Sequence, residues 1–150
     1  MLEIGYEVQK AGWALAKAKD DNVVVEMTTS YLHDTLKELA EVALYFAKGG
    51  KTAKVVFMDE PGEHQIWLER INDKDLKYTI VWYDDWESWG MHPSDEYKVL
   101  LEGICTDSRL KHQVTNILWN ISENIGEEKY LELWGEHKFP TEIYKELNAA

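Results

Sequence analysis

The chain has 150 residues, 45% of them apolar and 29% charged, which excludes a disordered or fibrous protein and fits one compact domain over residues 1–150. Against 28 Asp and Glu stand 16 Lys and Arg, a net charge of −12 that argues against DNA, RNA or an anionic membrane as partner, because binding phosphate requires clustered cations. The single cysteine, Cys105, allows no internal disulfide and fits a reducing cytoplasm.

The opening Met1-Leu2-Glu3-Ile4 lacks a basic stretch followed by an apolar one, so no secretion signal is predicted. No apolar run approaches the roughly 20 residues that cross a bilayer. The expectation is a soluble, cytoplasmic protein.

Leu2, Ile4, Tyr6 and Val8 alternate with Glu3, Gly5, Glu7 and Gln9, the period of a strand with one buried face. Trp13–Lys19 and Val23–Thr29 flank Asp20-Asp21-Asn22 and read as a hairpin, although Ala14, Ala16 and Ala18 favour helix. Ser30 is the predicted cap of a helix carrying Leu32, Leu36, Leu39, Ala40, Ala43 and Ala47 and stopped by Gly49-Gly50.

A meander follows. Ala53–Asp59, His64–Ile71 and Leu76–Tyr83 read as strands joined by Glu60-Pro61-Gly62-Glu63 and Asn72-Asp73-Lys74-Asp75. Leu76, Tyr78, Ile80 and Trp82 share one face of the third strand. Asp84–Glu96 has no clean period and reads as a long loop. Tyr97–Thr106 returns to strand, with Tyr97, Val99, Leu101 and Gly103 on one face and Leu100 and Ile104 on the other.

The last third is helical. Asp107 or Ser108 caps a helix carrying Leu110, Val114, Ile117, Leu118 and Ile121, and Gly126 stops it. Glu127–Glu136 forms a second helix with Tyr130, Leu131 and Trp134 inward. Pro140 opens a short third one packed through Ile143, Tyr144 and Leu147. The expected fold is α+β: an antiparallel sheet of about six to seven strands, one helix after the N-terminal hairpin, and a C-terminal helical cluster packed on one face.

Enzyme signatures are absent: no phosphate-binding glycine loop, no HExxH, no GxSxG and no CxxC. His33, His64, His92, His112 and His137 are isolated, and none pairs at helical metal-site spacing. No metal and no cofactor are expected. Cys105, in an apolar strand, reads as a small buried residue. Asp59, Glu60 and Glu63 flank a turn, and Asp73 and Asp75 belong to another.

The feature that points to function is Trp82–Tyr97. It interleaves Trp82, Trp86 and Trp89 with Asp84, Asp85, Glu87, Asp95 and Glu96, five acids without one Lys or Arg. Seven Trp exceed what one small core takes, so several are expected at the surface. Exposed indoles beside carboxylates suit a protein interface with a basic partner, the rings as anchors and the acids as steering charges. A second acidic group is Glu123, Glu127, Glu128, Glu132 and Glu136, of which Glu128, Glu132 and Glu136 fall on one helix face.

Three local patterns carry a resemblance: Ser30-Tyr31-Leu32-His33-Asp34, then Glu60-Pro61-Gly62-Glu63, then Tyr130 through Trp134 to Phe139-Pro140. In these, and in its acidity and Trp content, the chain resembles bacterial immunity proteins, the antitoxins encoded beside secreted polymorphic or contact-dependent toxins. The resemblance implies stoichiometric binding that blocks a basic toxin domain, commonly a nuclease, without catalysis by this chain. A small-ligand or glycan-binding module, and an enzyme with dispersed carboxylates, are the alternatives.

Overall fold

The computed structural model describes residues 1–150. The fold is α+β, with two antiparallel sheets and four helices. The first sheet takes β1 (Glu3–Val8), β2 (Trp13–Asp20) and β3 (Val23–Ser30) in chain order. Ala14, Ala16 and Ala18, the helix formers of the hairpin, all lie on the buried face of its middle strand. There they run between Ile4, Tyr6 and Val8 on one side and Val25, Met27 and Thr29 on the other. Packing against small inward side chains outweighs their helix propensity.

Helix α1 (Thr35–Ala47) starts later than the sequence suggests. Ser30 is not its cap: it closes β3 as a buried residue, and Leu32 lies in the connecting turn. The cap is Asp34, whose carboxylate accepts from the Lys37 amide at 3.5 Å and so satisfies one free donor of the first turn. At the other end Gly49, with φ +91°, supplies the left-handed residue that ends the helix.

The second sheet has the order β4 (Thr52–Met58), β5 (Glu63–Arg70), β6 (Asp75–Tyr83) and β7 (Lys98–Thr106). The expected single sheet of six to seven strands is therefore two sheets, of three and four strands. β3 lies beside β4 and β7 with no ladder between them. β6 and β7 slip register at Ile80/Val81, where one extra residue of β7 forms a bulge. Val99 then faces Val81 and Leu101 faces Ile80, which puts Val99 and Leu101 on opposite faces, not on the common face that unbroken alternation predicts.

Helix α2 (Asp107–Asn124) is capped by Thr106, one residue before the predicted caps, through a 2.9 Å bond from the Arg109 amide to its hydroxyl. Helices α3 (Glu127–Trp134) and α4 (Thr141–Ala149) follow. Leu133, not Leu131, joins Tyr130 and Trp134 against the core, and Glu136 lies beyond the end of α3, so no three-glutamate stripe forms. The helices do not cover one face alone: α1 packs on β4, α2 on β1 and β7, and α3 on β1 and β2.

Both sheets and all four helices contribute to one apolar core. Arg70 ties its parts together. Its guanidinium, nearly enclosed, donates to the carbonyls of Phe46 at 2.7 Å, Gly50 at 2.8 Å and Asp73 at 2.9 Å, and pairs with Asp107 at 3.1 Å. No helix is long and apolar enough to cross a membrane.

Candidate functional site

The outer face of the second sheet is where sequence and structure meet. Period-2 alternation places Glu63, Gln65, Trp67 and Glu69 of β5 on that face, opposite Met58, Val56, Lys54 and Thr52 of β4. A solvated face would be exposed throughout. Instead Val56, Met58, Glu63, Gln65, Val81 and Tyr83 are all buried. The segment 84–97 folds back across this end of the sheet and covers them.

Polar contacts latch the segment down. Trp86 Nε1 donates to the Asp59 carbonyl at 2.7 Å, and the Tyr83 hydroxyl to the Ser94 carbonyl at 2.8 Å. Ser88 Oγ donates to Glu63 Oε1 at 2.8 Å, and Gln65 Nε2 to Glu87 Oε2 at 2.8 Å. Gln65 is the centre of this network: its amide nitrogen also donates to Glu63 Oε2 at 2.7 Å, and its oxygen accepts from Trp67 Nε1 at 2.8 Å. One amide thus bridges two carboxylates and fixes an indole, which is how the fold holds a fully buried Glu63. Lys54 Nζ lies 3.9 Å from Glu87. Burial, with Glu87, Tyr97 and Glu63 nearby, pushes the Tyr83 phenol up to about 12.

The predicted site residues separate into two groups. Asp84, Trp89, Asp95 and Glu96 are exposed, with Trp89 at 50%. Trp82, Asp85, Trp86 and Glu87 are half-buried and serve the fold. Trp82 Nε1 donates to Asp84 Oδ1 at 2.8 Å, while its ring packs against His64 with centroids 4.7 Å apart. Trp86 and Trp89 meet edge to face at 5.1 Å. Glu87, expected as a free anion, turns inward to Gln65. Of the seven Trp only Trp134 is fully buried, and Trp89 and Trp119 are the exposed ones.

Around the latched segment the carboxylates concentrate. Asp59 and Glu60 of the β4–β5 turn lie at the same end as Asp84, Asp85, Asp95 and Glu96, because the Asp59 carbonyl holds Trp86 and Gly62 packs on the Trp82 ring. The Asp84 and Asp85 carboxylates do not converge on a cation: Asp84 accepts from Trp82 and Asp85 from the Trp86 amide at 2.8 Å. No three His, Cys, Asp or Glu side chains come together in metal-binding geometry.

No family model matches the chain, and no curated protein or solved structure matches it significantly.

The histidines are built in differently from one another. His64, buried on the core face, has no partner for Nδ1, and burial drives its pKa down to about 4. At His33 burial works toward a lower pKa, but Glu38, 2.9 Å away, with Asp34 and Glu63, outweighs it and raises the value. The Cys105 thiol is buried and pushed up to about 11, so it is not a nucleophile at neutral pH.

Sequence reasoning missed the Glu63–Gln65–Trp67 network and the role of Arg70. The available signal was the length of the segment, since a connection this long between paired strands is uncommon in a compact domain.

Proposed function

We propose that this chain is a non-catalytic immunity or inhibitor protein that captures a cationic protein domain at the acidic end of its second sheet. The observation that carries the reading is the concentration at this end of Asp59, Glu60, Asp84, Asp85, Asp95 and Glu96 beside exposed Trp89 and Met91, with Lys54 and Lys98 as the nearby cations. Carboxylates at this density steer a basic partner into encounter and raise its association rate roughly 10- to 1,000-fold at low salt. Trp89 and Met91 offer apolar area that becomes dry on docking. Turnover is not part of this reading. The two carboxylates that share the Gln65 amide, Glu63 and Glu87, have oxygens committed to Gln65 and Ser88.

Co-expression with the product of the adjacent gene tests the proposal. The expected result is a 1:1 complex and rescue of growth, with association slowed by salt and by the double substitution Asp84→Lys, Asp95→Lys. Absence of both complex and rescue overturns it.

A further inference from the structure

The sequence scatters its cations, but the fold gathers three of them. Lys17 and Lys19 of β2 and Arg109 of the first turn of α2 line one hollow of about 480 Å³, in which Glu3 is the only carboxylate. Acids outnumber bases 28 to 16 in this chain, yet none of the three cations forms an ion pair. Glu3 and Glu26 stand across the ladder from Lys19 and Lys17 without closing on them. Unpaired cations at one spot leave a local positive potential for an anion from outside to use.

The groove is built before any ligand arrives. Arg109 Nε donates to the Leu2 carbonyl at 2.9 Å, which fixes the guanidinium at the edge of β1 and leaves its two terminal nitrogens without a partner in the chain. One turn further along α2, Gln113 Oε1 accepts from the Ile4 amide at 2.9 Å, so the Gln113 side-chain NH₂ is free. Gly5 stands opposite Lys17, and a methyl group placed on it would meet nothing within 4 Å. Its missing side chain keeps the groove open. A second hollow, of about 450 Å³, continues between β1 and α2 and shares Ile4, Gly5, Lys17 and Gln113 with the first. There Lys17 is balanced by Glu7, and the rest of the polar wall is the uncharged amides of Gln113, Asn116 and Asn120.

We propose that this groove binds a phosphate monoester with an uncharged, hydroxylated body, the phosphate lying at Arg109, Lys17 and Lys19 and the body along the amides of α2. A phosphate monoester carries a charge of about −1.5 to −2 at neutral pH and three strong acceptor oxygens. A guanidinium fork meets two of these oxygens at once, and ammonium groups on flexible stems meet the third. Side-chain amides both donate and accept, as hydroxyl groups do, so the second hollow suits a polyol and not a second anion. Charge limits the ligand to a small one, because a nucleic acid would run out of the groove onto a chain of net charge −12. The site belongs to the first sheet and is independent of capture at the second.

The test is a titration of the intact ¹⁵N-labelled chain with inorganic phosphate, glucose 6-phosphate and glucose at constant ionic strength. The signals read are the Gly5 amide, Arg109 Nε–H and the side-chain amides of Gln113, Asn116 and Asn120. Both phosphates are expected to move Gly5 and Arg109 on saturable isotherms, with a Kd on the order of 1 mM for glucose 6-phosphate and about fivefold weaker for inorganic phosphate. Only the sugar phosphate should move Asn116 and Asn120. Lys17→Gln combined with Lys19→Gln is expected to weaken both ligands about fivefold. Gly5→Val fills the groove with a residue that strands favour, and should weaken glucose 6-phosphate about fivefold or more without loss of stability. Unmoved Gly5 and Arg109 signals, or unchanged binding by the double lysine variant, overturn the proposal. Equal affinity for the two phosphates with silent asparagines overturns the hydroxylated body, and an equal response to glucose overturns the phosphate.

Discussion

Replacing His64 with Phe should abolish a specific loss of stability on mild acidification. His64 sits on the core face of β5 against Trp82, 9% exposed, with burial as the cause of its depressed pKa. The folded chain therefore protonates near pH 4 and the unfolded chain near 6.5. Between these values the unfolded state holds more protons, so the contribution is intact above pH 6.5 and is lost as the pH falls toward 4. At pH 5 the lost stability comes to about 2 kcal/mol. Phe keeps a ring on Trp82 and has nothing to protonate. Urea unfolding followed by Trp fluorescence at pH 7, 6 and 5 reads the difference, because carboxylate titrations common to both proteins cancel. The wild type should lose about 2 kcal/mol more than His64→Phe between pH 7 and 5. Parallel losses in the two proteins would refute the reasoning. His64→Leu serves as a second variant, should the larger ring be poorly tolerated.

Three further outcomes follow from the packing. Arg70→Met removes donors from the Phe46, Gly50 and Asp73 carbonyls and leaves Asp107 unpaired; thermal unfolding should show a loss of about 3–5 kcal/mol. Gln65→Leu strands the buried Glu63 carboxylate and frees Glu87, so amide hydrogen exchange should quicken across residues 84–96 while the first sheet stays protected. Gly62→Ala places a methyl group on the Trp82 ring at a φ of +89°, and chemical denaturation should register a loss of about 2 kcal/mol or more.

Much of the fold was legible because burial on one face leaves a period. The hairpin, the meander and the C-terminal helices fall close to where alternation or helical spacing puts them, and α1 keeps its predicted buried positions Leu36, Leu39, Ala40 and Ala43 although it begins later. Caps were read less well, since Ser30, Asp34, Thr106 and Ser108 are all capable acceptors and only tertiary packing decides which is used. The division into two sheets was not legible either, because a strand's alternation names its buried face but not its neighbour. Beyond β6, the missing period was enough to read Asp84–Glu96 as one long loop. The roles of Trp82, Trp86 and Glu87 were not readable, because a half-buried indole and a free one look alike in sequence. The buried polar row Glu63, Gln65, Trp67 was hidden for the same reason: its alternation is that of a wet face until something is laid over it.

The way segment 84–97 is tied down also bears on the kinetics of recognition. A segment held by Glu63, Gln65, Asp59 and Tyr83 has already given up its conformational freedom during folding, so an incoming protein need not order it. Such preorganisation favours a rigid encounter surface and a slow escape of whatever docks there, rather than a loop that closes after contact.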